Sequence, residues 1–550
     1  MESNGSPIEV RHHKKTHLPK WVVILAGTLA LLALVAGILL KIFAEPILHQ
    51  RAEDMLSSRF HSEVQIQGFH IDLFPQLRLA GSGVTVRLHG RTDVPPLISV
   101  HEFSGNANLW SIFGKPWHIN TITLKGLTIQ IPPREQREGK LFPVSSSGRK
   151  PKDVTVKIDE LISDDAELDI ISGKPDRSPH QFLIHHLDLH HMRPGSGAPF
   201  EATLTNATPP GEIHVKGNFG PWQADDPRTT PLGADYTFKD ADLSVFKGIA
   251  GILSSTGTFK GVLESIEVQG ETITPDFTVD TGGHPVMLKT EFNATVDATN
   301  GDTMLHPVRA HIGNTTLLCT GGVVGPTDKR LHGKEVTLDI VSKNGRIEDL
   351  LRLAVRADKP PISGPMELTT KFDLPPVDPR TKEKVMDRLE LNGRFRIEQG
   401  RFSDIKVREK IEDLSRRGQG HPKDEDAGDS LTALRSNFKL HDALITLSKL
   451  NFSVTGANVQ LDGTYGIRSE DLDFHGKLHL QAKPSQAVTG VKSWLLKPFD
   501  SFFRKNGVTE IPIKIGGKRS DPSFGLDFHH HNGDDAKKKD DKSEDKTAKK

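Results

Sequence analysis

The sequence predicts a mainly β protein: one N-terminal transmembrane helix, then a long antiparallel sheet with a few short helices. Three observations carry this. The run Trp21–Leu40, WVVILAGTLALLALVAGILL, contains no charged residue. From Val64 to Leu480, apolar and polar residues alternate in short stretches with period 2, the period of a strand with one dry and one wet face. Helical spacing of apolar residues is sparse by contrast.

The apolar run comes first in the chain. About 20 residues at ~1.5 Å each span the ~30 Å hydrocarbon core of a bilayer. Arg11, Lys14, Lys15 and Lys20 precede the run and Lys41 closes it. Positive flanks stay cytoplasmic, so Met1–Lys20 is expected inside and Ala44–Lys550 outside. A cleaved signal peptide would have a shorter core, roughly 7–15 residues, and a small-residue cleavage site; IFAEP is a poor one. The stretch Ile42–Phe60 follows with Ile47, Leu48, Ala52, Met55, Leu56 and Phe60 at helical spacing, and Pro46 in the first turn.

Strand alternation then takes over. Val64 and Ile66 open it, Leu77 and Leu79 follow Pro75, and Val84 and Val86 continue. Ile122 and Leu124 lead through Gly126, a turn or bulge position, to Leu127, Ile129 and Ile131. Val154, Val156 and Ile158 precede Asp164–Asp165, which reads as a turn before Ala166, Leu168 and Ile170. Val336, Leu338 and Ile340 form another strand, and Leu389, Leu391, Phe395 and Ile397 keep register around Gly393. The clearest case has Leu472, Phe474, Leu478 and Leu480 on one face, opposite Asp473, His475, Lys477 and His479, which are expected to face water. Three helices are expected: 345–356, 403–417 with Gly418 as the stop, and 488–503 divided by Pro498. Pro132–Lys152, Gln419–Asp429 and Asp534–Lys550 lack the apolar residues a core needs.

Composition excludes several function classes. Lys+Arg and Asp+Glu both total 71, so the chain has no global attraction for nucleic acid. Cys319 is the only cysteine; an intrachain disulfide and a cysteine-based zinc site are excluded. Its setting, TTLLCTGGVV, suits a small buried hydrophobe. Phosphate-binding loops of the GxxxxGK[ST] kind, GxSxG elbows and HExxH helices are absent from the sequence. Histidine is frequent, at 26 copies. In FLIHHLDLHHM, His186 and His190 share a strand face with Asp188 between them, a spacing that brings them near one metal. With Leu187 and Leu189 pointing the other way, the same pattern is explained by an exposed strand face, and no metal or cofactor is assigned. Catalytic residues are not assigned either, and the chain is read as a non-enzyme.

Several stretches carry a resemblance. They are VQIQGFHIDLFPQLRLAGSGVTVR, PPLISVHEFSGNANLWSIFGKPWHINTITLKGLTIQIPP, VDATNGDTMLHPVRAHIGNTTLLCTGGVVG, GRIEDLLRL, LELNGRFRIEQGRFSDIKVREKIEDLSRRGQG and LKPFDSFFRKNGVTEIPIKIGGKRSDPSFGLDF. In their order behind an anchor they resemble the AsmA family, whose members are inner-membrane-anchored periplasmic proteins. The histidine-rich strands are a departure from that pattern. The resemblance implies a cytoplasmic tail over 1–20, a transmembrane helix over 21–43, an N-terminal β region over 44–220, a C-terminal β region over 221–528 and a charged tail over 529–550. It also implies a sheet curled into a hydrophobic groove, a role in outer-membrane assembly, and phospholipid as partner. Periodicity alone leaves two solutions for half-apolar strands with few helices: an open trough filled by lipid tails, or a closed core. If a trough forms, Leu472, Phe474, Leu478 and Leu480 are its candidate lining.

Overall fold

The computed structural model describes residues 46–47, 49–54, 56–57 and most of 63–527, with breaks at 73–76, 88–94, 108–116, 132–155, 172–179, 194, 224–228, 281–282, 329, 382, 424–431, 489–496, 498–499, 501–502 and 506. The run Trp21–Leu40 and the tail Asp534–Lys550 lie outside these, as do Pro132–Lys152 and most of 488–503. Among the described residues no helix is long and apolar enough to cross a membrane. The fold is mainly β, as the alternation predicts. The chain parts into two compact units, Met1–Leu127 with Phe142–Ile162, and Thr128–Leu141 with Ser163–Lys550.

The first unit is built on β1 (Glu63–Asp72), β2 (Leu77–Arg87) and β3 (Ile98–Ala107), an antiparallel meander. Ile71, Leu77 and Ala107 form its buried cluster, flanked by Phe69, Leu79 and Ile119. Residues 46–47, 49–54 and 56–57 are helical, as expected, and lie along β1. Their side chains satisfy its outer backbone groups. The Ile66 N–H donates to Glu53 Oε1 at 2.8 Å, and Val64 N–H to Ser57 Oγ at 3.1 Å. His49 Nε2 donates to the Ile66 carbonyl at 2.9 Å, and its ring stacks on Phe69. A strand edge left bare recruits other strands; this one is occupied.

Strands β4 (Trp117–Ile131) and β5 (Val156–Ile170) follow. Here one expectation is corrected. Asp164–Asp165 is not a turn between two strands; β5 runs straight through it. Asp165 adopts φ 55°, a left-handed residue inside a strand. Aspartate tolerates that conformation, so the chain bulges instead of reversing.

The second unit is one long meander. Its strands are β6 (His180–Met192), β7 (Ala198–Thr205), β8 (Glu212–Phe219), β9 (Leu232–Asp242), the short β10 (Ile249–Ala250), β11 (Ile252–Val262), β12 (Ser265–Val279), β13 (Val286–Asp297), β14 (Asp302–Ile312), β15 (Thr315–Val324) and β16 (Glu335–Arg346). The sheet continues with the short β17 (Ile362–Ser363), β18 (Pro365–Leu374), β19 (Glu390–Phe402), β20 (Thr432–His441), β21 (Leu444–Val454), β22 (Ala457–Gly466), β23 (Asp471–Leu480), the short β24 (Arg504–Lys505), β25 (Val508–Lys518) and β26 (Asp521–Leu526). From β7 on, each long strand pairs antiparallel with the long strand before it. β8 and β9 pair from Glu212 to Phe219, and the Gly220 N–H continues the ladder to the Pro231 carbonyl at 2.7 Å.

Two helices fall where helical spacing predicts them. Helix α1 (Ile347–Ala354) carries Glu348 and Asp349 in its first turn, where carboxylates meet the positive end of the helix dipole. Asp349 also accepts from Asn314 N–H and Thr315 Oγ1, at 2.9 and 2.8 Å. Helix α2 (Ile405–Gln419) starts on Asp404, whose side chain accepts from Val407 N–H at 3.0 Å. Its stop is Gly420, left-handed at φ 85°, and not Gly418. Gly418 is helical and buried for a different reason: a Cβ there would meet the Gly456 carbonyl oxygen at 2.5 Å. The glycine lets the helix touch the β21–β22 turn.

Candidate functional site

Directly paired residues of an antiparallel sheet point to the same side. The register of the second unit therefore shows which residues share a face. One line runs Leu189, Phe200, Gly217, Ala234, Phe259, Val268. It goes on through Ala294, Leu305, Gly321, Leu338, Phe372, Leu391. It ends with Leu440, Ile445, Tyr465, Leu472, Gly517 and Pro522. Eighteen successive long strands contribute, and none of them places a charge on the line. The neighbouring line on the other face is polar: Thr320, Asp339, Lys371, Asn392, Lys439, Thr446, Thr464 and Asp473.

The apolar face is covered unevenly. At one end of the strands α1 packs Ile347, Leu350 and Leu351 on Ile362, Met366 and Ile397. Ile397 and Met366 are each 2 % exposed. Helix α2 packs Ile411 and Leu414 against a cluster of Val454, Ala457, Leu480 and Ala487. At the other end, the line through Leu472 has its large side chains half-buried, apart from Leu440, which is buried. Ala202, Val215 and Ala234 form a further cluster with Phe200, Tyr236 and Phe259 around it. Burial raises the Tyr236 pKa, and its hydroxyl meets Ser255 Oγ at 3.0 Å.

The four candidate lining residues share this face. Phe474 is 7 % exposed and Leu480 4 %, while Leu472 and Leu478 are half-buried. Leu478 and Leu480 belong to the cluster under α2. Phe474 lies on a second apolar line with Ile515, Leu447 and Phe438. Its ring fits over Gly463, where a Cβ would lie 2.6 Å from it.

The opposite face of β23 departs from expectation. His475, Lys477 and His479 are not simply wet. His475 Nδ1 meets Asp527 Oδ2 at 2.5 Å and Nε2 meets Asp473 Oδ1 at 3.0 Å. Lys477 and His479 share Glu510, at 3.0 and 3.3 Å. Asp527 and Glu510 are the less exposed partners. The hydrogen bond from Asp527 is the main cause of a raised His475 pKa. Sequence periodicity assigns a face but not the cross-strand partner, so this network was invisible in it.

The histidine pair of β6 is split between carboxylates. His186 Nδ1 binds Asp164 Oδ1 at 2.7 Å, and His190 Nε2 lies 3.3 Å from Asp188. His185 bonds Thr205 Oγ1 at 2.7 Å. Cys319 is half-buried on the apolar face, paired with Val308 and Ile340, and burial raises its pKa. That suits packing and not thiolate chemistry. A shallow concavity of about 650 Å³ crosses β18–β22, lined by Arg394, Arg396 and Arg435 but also Glu367 and Asp462. Its mixed charges select no ligand.

No protein-family model, curated protein or solved structure matches the chain.

Proposed function

We propose that this chain is a membrane-anchored periplasmic protein of cell-envelope biogenesis whose apolar sheet face holds or conducts phospholipid acyl chains. One observation carries the reading: an uncharged line crosses eighteen strands and stays half-buried over much of its length. A face of this kind needs an apolar occupant, and each acyl CH₂ buried on it contributes ~0.8 kcal/mol. Such binding is non-directional, which suits a path better than a single pocket. The anchor Trp21–Leu40 and the resemblance to the AsmA family supply the location, with the N-terminus cytoplasmic. Catalysis has no part in this function.

A closed-core scaffold that tethers envelope proteins is the second reading. It is favoured at one end, where α1 and α2 bury Ile397, Met366 and Leu480. Mass spectrometry of lipids co-purified with the full chain separates the two. Phospholipid in at least equimolar amount supports the path. A chain that purifies folded and lipid-free supports the scaffold.

A further inference from the structure

Among the described residues the apolar face runs out at β26. Phe524 and Leu526 lie on that last strand, 68 % and 52 % exposed. Phe524 pairs with Ile515 and Leu526 with Ile513, so both continue the apolar lines inward, Phe524 towards Phe474. Helix α2 meets this margin. Lys410 Nζ lies 5.9 Å from the centroid of the Phe524 ring. Lys406 stands one turn earlier on the same flank of the helix, and both lysines are exposed. Asp413, a carboxylate near that flank, is already held by Arg417 at 2.6 Å and Arg416 at 3.7 Å. By helical spacing Glu412 points away from this flank, while Glu409, three residues after Lys406, neighbours it, so the two lysines outnumber the one carboxylate beside them that no cation among the described residues is shown to hold. One cation thus lies over the exposed end of an apolar path, with a second one helical turn away.

We infer that Lys406 and Lys410 receive the phosphate of an anionic glycerophospholipid whose acyl chains enter over Phe524 and Leu526. The inference rests on the acyl-chain reading above and adds a headgroup preference and an entry point. An ammonium over an aromatic face beside an exposed leucine offers charge and apolar surface within one lipid's reach. Two lysines can offset the single negative charge of phosphatidylglycerol, whereas phosphatidylethanolamine carries its own ammonium and gains less.

The test uses the full chain in detergent, exchanged against micelles containing equal phosphatidylglycerol and phosphatidylethanolamine, with bound lipid read by mass spectrometry. Wild-type protein should be enriched several-fold in phosphatidylglycerol. Lys406→Gln with Lys410→Gln should return the bound ratio to the offered one while total bound lipid is kept. Lys514→Gln, exposed on the opposite face, should leave the enrichment intact. The thermal midpoint of the double variant should match wild type, since both lysines are solvent-exposed. Inorganic phosphate alone should not bind in equilibrium dialysis; saturable phosphate binding lost in the double variant would make this a free-anion site and overturn the inference. An equal ratio in wild type, or enrichment that survives the double variant, also overturns it while leaving the path reading standing. Absence of lipid from every protein overturns both.

Discussion

Leu480 and Leu472 occupy the same face of the same strand and differ in what lies over them. Leu480 is sealed beneath α2, and Leu472 is half-exposed at the far end. The strand grammar is identical at both ends; a short amphipathic helix decides which becomes core. The covered end stabilises the fold. The uncovered end is apolar surface in excess of what folding buries, and this is where the proposed lipid path is available.

The sharpest way to break this comparison is to charge the covered end. Ile397→Asp puts an unpaired carboxylate at a position 2 % exposed, and should cost several kcal/mol and abolish the cooperative thermal transition. A variant that melts like wild type would mean that the α1 cluster does not hold the sheet.

Next come Phe474 and Leu472. Phe474→Asp should lower stability by about 2–4 kcal/mol and reduce bound lipid, because the site is nearly closed. Leu472→Asp should cost less than ~1 kcal/mol, as expected of a partly exposed position, yet reduce bound lipid comparably. Melting curves and lipid mass spectrometry on both variants check this. Equal loss of folding in the two would erase the distinction between the ends.

A smaller effect is expected at the joint between α2 and the sheet. Gly418→Ala drives a methyl into the Gly456 carbonyl, and should destabilise by about 1–3 kcal/mol. Gly420→Ala should act through the left-handed C-cap and not through packing, costing about 1 kcal/mol. Denaturant melts of the two variants give the order.

The smallest effect concerns pH. The folded-state pKa of His475 is raised, first by Asp527 and then by Asp473. Its contribution is therefore fully present below the ordinary histidine value, near ~6.5, and fades as pH rises through the raised value. Wild type should lose a little thermal stability between about pH 5.5 and pH 8.5 relative to His475→Gln, which lacks that contribution. His475→Asp, harmless on a wet face, should instead set a third carboxylate beside Asp473 and Asp527 and loosen β26. Parallel pH-dependent melts of the three proteins decide it.

Much of the fold was legible because one-sided strands and amphipathic helices write their period into the sequence. Val64 and Ile66, Leu391 to Ile397, and Leu472 to Leu480 all lie on the strands their spacing predicts, and α1 and α2 begin and end within a few residues of expectation. What stayed hidden depends on the third dimension. Asp165 bulges where it looks like a turn, because a left-handed aspartate serves either purpose. Gly418 looks like a helix stop and is a contact point, since its reason is the Gly456 carbonyl some forty residues away. Leu472, Phe474, Leu478 and Leu480 share the face their period predicts, but the line through eighteen strands emerges only once the registers are known. Lys406, Lys410 and Phe524 carried no sequence signal at all: a helix and a terminal strand meet there solely through the tertiary fold.

The meander of the second unit has a further consequence for how the molecule is made. Every long strand from β7 onward pairs with the long strand synthesised just before it. A nascent chain can add strands in order, each finding its template already in place, and the loop closed at each step is short. Among the described residues, each of these hairpins is completed by the strand that follows it directly. Production by accretion suits a polypeptide delivered end-first through a narrow channel, and it makes length itself the easiest property of this architecture to change, one hairpin at a time.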